Sequence, residues 1–246
     1  MADQAPTPYE PLGEDWRTAL AVVAHPDDME YGAAAAVARW TSQGKRIVYV
    51  MATSGEAGID GMDPETCRRV REEEQIASAA VVGVDTVEFL GHPDGVVEYG
   101  LPLRRDIARA VRRHRPEIVI TTNFRETYGG RWPNQADHIA VGRATLDAVR
   151  DAGNRWVFRE LTEEGHEPWD GVRAVWAAGS PDAAHAVDTT DFFDTGVASL
   201  KAHRAYLDGL GGDMADAAGF LDTFGRMSGE RLGTRYASSF EVVPLR

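Results

Sequence analysis

Apolar and polar positions alternate along this chain in two textures. Short, mostly apolar runs at 20–24, 46–52, 87–90, 117–122 and 172–178 read as buried strands. Between them lie longer segments with helical spacing. Residues 30–43 carry an alanine-rich face and end at Gly44. Residues 64–82 open on Pro64 and display Arg68, Arg69, Arg71, Glu72, Glu73 and Glu74. Residues 102–114 and about 138–152 complete the set. Strand–helix alternation at this spacing predicts an α/β fold, a mostly parallel sheet with helices on both faces. Past about residue 180 the alternation weakens. A helix is expected over 191–208, a helical or irregular stretch over 213–228 and a terminal strand over 238–244. With no internal repeat and no low-complexity linker, the chain reads as a single domain over 1–246, with a core of about 18–180 and a C-terminal extension of about 181–246.

In such a sheet the loops that follow strands crowd one edge, where ligands bind. Four polar loops qualify: 24–28, 53–58, 91–95 and 123–137. The first reads Ala24-His25-Pro26-Asp27-Asp28. Pro26 lacks an N–H and has a fixed φ, so neither a helix nor a paired strand continues through it. An imidazole and two carboxylates therefore fan out from a tight turn at a strand end. The last loop closes on Asn134-Gln135-Ala136-Asp137-His138 at the start of a helix. His25, Asp28 and His138 together offer two imidazoles and a carboxylate. Three protein ligands with an open fourth position mark a catalytic Zn2+ rather than a structural one. Asp27, beside a ligand but pointing elsewhere, is placed to accept a proton as general base. The plainer reading is a solvated turn with Asp28 capping a helix and His138 on the surface.

Charge and composition narrow the partners. A formal net charge of −13 argues against nucleic acid or an anionic membrane as the main partner. No apolar run reaches the ~20 residues needed to span a bilayer, and the polar, Pro-rich stretch 1–16 lacks the apolar core of a secretory signal. Cys67 is the single cysteine, which fits a reducing, cytoplasmic setting. The first strand is followed by His25-Pro26-Asp27 rather than a Gly-x-Gly-x-x-Gly turn, and Gly44-Lys45-Arg46 lacks the spacing of a phosphate-binding loop.

Taken in order, Ala24-His25-Pro26-Asp27-Asp28, the loop Thr53-Ser54-Gly55-Glu56-Ala57-Gly58, the Arg/Glu-rich helix at 68–74, Asp94-Gly95 and Asp137-His138 resemble the LmbE-like/PIG-L zinc de-N-acetylases over about 18–205. The resemblance implies a Rossmann-like fold, zinc on His25, Asp28 and His138, Asp27 as base, and removal of an N-acyl (acetyl) group from an amino-sugar conjugate of the N-acetylglucosamine type. It also suggests Arg68, Asp94 and Glu56 as substrate-binding residues, with Asp137 orienting a ligand histidine. Two departures stand out. The family's glutamate directly after the paired aspartates is displaced by Met29, with Glu30 following. The mycothiol-type members resemble His-Pro-Asp-His at the second motif, where this chain has Gln135-Ala136-Asp137-His138. Gln135 can donate a hydrogen bond but cannot deliver a proton. The proton for the leaving amine would come from Asp27 or from His185. His92 is expected in a turn, and His114, His166 and His203 as surface or packing residues. The alternatives are a metal-holding sugar-binding protein without turnover, or an amidase acting on thiol conjugates or acylated natural products. A homo-oligomer is compatible with either.

Overall fold

The computed structural model describes residues 7–245. The first six residues of the polar N-terminal stretch, and Arg246, lie outside the described residues. The main sheet has eight strands in the order β1-β9-β10-β8-β5-β2-β3-β4. They are β1 (Glu10–Pro11), β2 (Thr18–Val23), β3 (Arg46–Met51), β4 (Val87–Phe89), β5 (Ile118–Thr122), β8 (Ala174–Ala178), β9 (His185–Asp188) and β10 (Ala237–Pro244). Strands β4, β3, β2, β5 and β8 run parallel to one another. β10 is antiparallel to both β8 and β9. The sheet is therefore mixed but mostly parallel, and the strands expected from the apolar runs form a contiguous block from β8 to the edge strand β4.

Period-2 alternation splits each central strand between two cores. Ala19, Ala21 and Val23 of β2, with Ile47, Tyr49 and Met51 of β3, face one layer. Leu20 and Val22, with Val48 and Val50, face the other. The first layer is covered by α2 (Ala34–Ser42) and α3 (Pro64–Val81), the second by α4 (Leu101–His114) and α5 (Ala136–Gly153). The first layer centres on Trp16, Trp40, Trp176 and Phe240, with ring centroids 5.3 Å apart for Trp16–Trp40 and 5.7 Å for both Trp40–Trp176 and Trp40–Phe240. Trp40 is fully buried, and its indole N–H donates to Glu14 Oε1 at 2.8 Å.

The structure corrects three element expectations and adds three short segments. The helix over 30–43 is two helices, α1 (Asp28–Gly32) and α2, because Ala33 leaves helical geometry at φ −147° and ψ 3°. The helix over 191–208 is a 3-10 turn followed by α7 (Phe193–Leu200) and α8 (Arg204–Gly209), interrupted at 201–203. The stretch 123–137 holds a small hairpin, β6 (Thr127–Tyr128) and β7 (Trp132–Pro133), whose turn uses the positive φ of Gly129 and Gly130. The segments α6 (Arg159–Glu163), β1 and β9 carried no recognisable period, since each has five residues or fewer. After α8 the chain passes through a 3-10 turn into α9 (Ala217–Leu232) and then β10. Among the described residues no helix is long and apolar enough to cross a membrane.

Truncating Trp40 to Ala removes the ring that contacts all three aromatic neighbours. The expected cost is about 3–5 kcal/mol of unfolding free energy, measured by urea denaturation with an unchanged m-value.

Candidate metal centre

β2 and β5 are neighbours, and the chain leaves their carboxyl ends in different directions. After β2 the turn 24–28 leads into α1; after β5 the loop 123–135 leads into α5. The two loops thus meet at a switch point of the sheet. In the first turn Asp27 adopts a left-handed backbone at φ 92°, a conformation that costs a non-glycine residue about 1–3 kcal/mol. It is held there by α3. Its N–H donates to Gln75 Oε1 at 2.9 Å, and Arg71 Nη2 donates to the carbonyl of Pro26. Asp28 turns back on the strand end, Oδ2 accepting from the N–H groups of Ala24 at 3.0 Å and His25 at 2.9 Å.

These constraints aim His25 and Asp28 at His138, which stands in the first turn of α5. His138 Nε2 lies 3.2 Å from His25 Nδ1 and 3.0 Å from Asp28 Oδ1, and one ligand atom from each of the three residues falls within 4.8 Å of the others. The outer nitrogens are held by oxygen. His25 Nε2 is 3.1 Å from Asp94 Oδ1 and 3.3 Å from Asp137 Oδ2. Asp137 is itself fixed by the N–H groups of Gly95 at 2.8 Å and Val97 at 3.0 Å. His138 Nδ1 is 3.0 Å from both Asn134 Oδ1 and the Tyr128 hydroxyl. Carboxylate on one nitrogen and amide oxygen on the other hold the ring protons outward, so that each imidazole, when neutral, turns a lone pair toward Asp28. Two nitrogen lone pairs and a carboxylate in contact repel unless a cation lies among them. This donor set fits a divalent transition metal ion.

The electrostatics carry the same demand. Burial alone would depress His25, but hydrogen bonds that its ring donates to Asp137, Asp28 and Asp94 push it up to about 12. Burial alone would raise Asp28, but the charges of His138 and His25 hold it far below the usual carboxylate range. Burial pushes Asp27 up to about 6, with Asp28 reinforcing the shift and Arg71, its Nη2 at 3.5 Å, opposing it. Asp27 therefore differs from its neighbour in its proton affinity, which is how adjacent carboxylates take different tasks.

The structure places the remaining expected residues as follows. Asp94 is brought to the site, but it faces His25, with its other oxygen accepting the Ala57 N–H at 2.8 Å. It orients an imidazole rather than standing open to a sugar hydroxyl. Glu56 Oε1 accepts from Arg68 Nη2 at 3.1 Å and the Asp94 N–H at 3.2 Å, so it ties loops together. Arg68 is half-exposed and paired with Glu56. Arg71, three residues on and buried, is the arginine beside Asp27. Gln135 is the exposed residue before α5, and its side chain makes no hydrogen bond among the described residues. His185 is corrected: it lies on β9, four strands from β2, or about 19 Å at ~4.8 Å per strand. Its Nε2 is 3.8 Å from Glu10 instead. His203, expected as a surface or packing residue, is fully buried near Glu30.

Sequence reasoning missed Arg71, Gln75, Asn134, Tyr128 and Tyr206. The guanidinium of Arg71 stacks on the Tyr206 ring at 3.8 Å, and burial, with the charge of Asp27, pushes the Tyr206 phenol up. Gly58 makes room for Arg71, since a Cβ there would fall 2.5 Å from Nη1. The signal for α3 was present: Cys67, Arg71, Gln75 and Ser78 share one buried stripe at helical spacing.

The profile of the family described as PIG-L, GlcNAc-PI de-N-acetylase, matches residues 20–149. A diacetylchitobiose deacetylase of Thermococcus kodakarensis is 25% identical over 234 residues, covering 94% of this chain and 84% of that enzyme. A 1D-myo-inositol 2-acetamido-2-deoxy-alpha-D-glucopyranoside deacetylase of Kineococcus radiotolerans is 30% identical over 166 residues, or 54% of this chain and 45% of that protein. The chain thus spans less than half the length of this second relative. The N,N'-diacetylchitobiose deacetylase structure from Pyrococcus horikoshii superposes with a TM-score of 0.85 at 22% identity, covering 94% of this chain and 85% of the other, a likeness of fold.

A raised histidine pKa means that the proton is held below that value, so His25 is cationic at pH 8 when no metal competes. A divalent ion needs its Nδ1 lone pair and must expel that proton. Adding zinc to chelator-treated protein at pH 8 in weak buffer is expected to release a proton with the first equivalent, read by pH-stat. Uptake without proton release would show that His25 was already neutral.

Proposed function

This chain belongs to the GlcNAc-PI de-N-acetylase (PIG-L) family, and we propose that it is a zinc-dependent amide hydrolase that removes the N-acetyl group from an N-acetylglucosamine-type conjugate. The observation that carries the reading is the convergence of His25 Nδ1, Asp28 Oδ1 and His138 Nε2 beside a second, buried carboxylate, Asp27. His25, Asp28 and His138 would hold the ion, which when bound supplies Lewis acidity toward the amide carbonyl.

This chain's own residues do the rest. Asp27 accepts the proton of the attacking water. With its carboxyl near 6 it is largely ionised at neutral pH and still basic enough to take that proton. Arg71 and Gln75 fix its position, so little reorganisation accompanies the transfer. Water oxygen bonds to the acyl carbon, the C–N bond breaks, and the amine leaves with a proton. Asp27 returns that proton, because Gln135 can only donate a hydrogen bond and His185 is across the sheet. In this reading Gln135, the exposed residue before α5, hydrogen-bonds the acyl oxygen or a sugar hydroxyl. Asp94 and Asp137 keep His25 in the tautomer a metal requires. We read the enzyme as one domain. The single Cys67, unpaired and buried, supports a reducing, cytoplasmic compartment.

The deciding experiment is an amine-release screen over N-acyl amino sugars with and without a chelator. Chelator-sensitive release supports the reading. Zinc bound at one equivalent with no amine from any N-acyl sugar would favour a sugar-binding protein without turnover.

Asp27→Asn is expected to retain metal while lowering kcat by about 10²-fold or more. The acid limb near pH 6, where protonation of a base with a raised pKa removes activity, should vanish with it. Full turnover in this variant would remove Asp27 as the base. His138→Ala is expected to lose most bound metal by elemental analysis, and unchanged stoichiometry would show that another residue completes the site.

A further inference from the structure

The reading above leaves open what is attached to the acetamido sugar. The hairpin β6–β7 bears on this. Its register sets Tyr128 opposite Trp132 and Thr127 opposite Pro133. Directly opposed residues project to the same face of a two-stranded ribbon, so the register puts Tyr128 and Trp132 on one face. The Tyr128 hydroxyl lies 3.0 Å from His138 Nδ1, which turns that face toward the metal centre. Trp132 shares that face by register. It is 62% exposed and Tyr128 41%, and neither belongs to either hydrophobic core.

The base of the hairpin is anchored. Asn134 Nδ2 donates to the carbonyls of Asn123 at 2.7 Å and Arg125 at 2.9 Å, and the Asn134 N–H donates to Glu126 at 2.9 Å. The guanidinium of Arg131 sits 5.2 Å from the Trp132 ring centroid and steadies the indole. An anchored, exposed indole beside a reaction centre is a recognition surface rather than packing.

We propose that Trp132 forms an aglycone subsite, stacking on a pyranose ring linked to the acetamido sugar, and so determines specificity. This rests on the reading of the centre as an amino-sugar deacetylase. A pyranose with equatorial hydroxyls presents an apolar C–H face to a flat ring and hydroxyls to its rim. Here the Trp132 ring has the Arg131 guanidinium beside it, and Gln135, three residues on, is exposed with its side chain unengaged among the described residues. An acyl chain would instead require a continuous apolar groove, which this polar-rimmed pair does not supply.

The test compares zinc-loaded wild type with Trp132→Ala and Trp132→Phe on N-acetylglucosamine, N,N'-diacetylchitobiose and p-nitrophenyl N-acetylglucosaminide. Trp132→Ala is expected to lower the disaccharide-to-monosaccharide ratio of kcat/KM by about tenfold, chiefly through KM, with Trp132→Phe restoring most of it. An unchanged ratio, with both sugars affected equally or not at all, overturns the subsite. Selective loss on the aryl glycoside alone overturns the pyranose assignment. If wild type releases amine from none of them, the deacetylase reading fails separately. Calorimetric titration with diacetylchitobiose then decides the subsite: weaker binding to Trp132→Ala than to wild type supports it, and equal affinity overturns it.

Discussion

The carboxylate of Asp28 is the junction on which the site is built. One oxygen is bound to two backbone N–H groups at the end of β2, and the other faces His138 at the start of α5. A buried carboxylate must be compensated, because removing an ion from water costs several kcal/mol that only close partners offset. Asp28 is therefore a demand for positive charge at one point in space. The two imidazoles answer it only in part, since their inward lone pairs repel each other when neutral. Protonation of His25 is one solution and a bound cation is another. The paired carboxylates behind His25 stabilise the first and, by fixing the outer proton, prepare the ring for the second.

That junction requires two segments far apart in sequence to meet, and the sheet order brings this about. From β2 the chain steps outward through β3 and β4, then returns to the other side of β2 as β5. The loops after β2 and β5 are thereby neighbours although His25 and His138 are 113 positions apart. Because these strands are parallel, the loops after β3 and β4 reach the same edge, where Glu56 and Asp94 join them. The C-terminal strands extend the sheet beyond β8 and carry His185 away from this point.

What could be read from the sequence follows from how local each signal was. The central strands are continuous apolar runs because both faces are buried, and the His-Pro-Asp-Asp turn is informative because Pro26 restricts its geometry. Elements fixed by distant contacts were not legible. β9 is a four-residue strand held between β1 and β10, and the hairpin depends on anchoring by Asn134. Choosing Arg68 over Arg71 exchanged adjacent faces of one helix. Arg71 falls on the stripe of Cys67, Gln75 and Ser78, and polar residues on a buried stripe signal a partner. The glutamate shift has the same logic. Successive helical residues point about 100° apart, so Met29 enters the core beneath α2 while Glu30 turns to Gln75 and Ser78.

That polar stripe explains how a strained residue can be held for the role of base proposed for it. A left-handed Asp27 would relax if held by one bond. α3 holds it at the N–H through Gln75, at the preceding carbonyl through Arg71, and at the carboxylate through the same guanidinium. Gln75 is oriented in turn by Glu30, whose oxygen accepts from its amide at 3.0 Å and from Ser78 at 2.8 Å. Glu30, buried with His203 at 3.7 Å, is held below the usual carboxylate range against the opposing effect of burial, chiefly by that imidazole. The segment after α7 thus supports the His-Pro-Asp-Asp turn without contributing an atom to the cluster of His25, Asp28 and His138. Tyr206, three residues beyond His203, closes over Arg71 from the same segment. Support from a rigid helix and a buried charge network, rather than from a loop, is what lets a backbone hold strain and a carboxylate keep its aim.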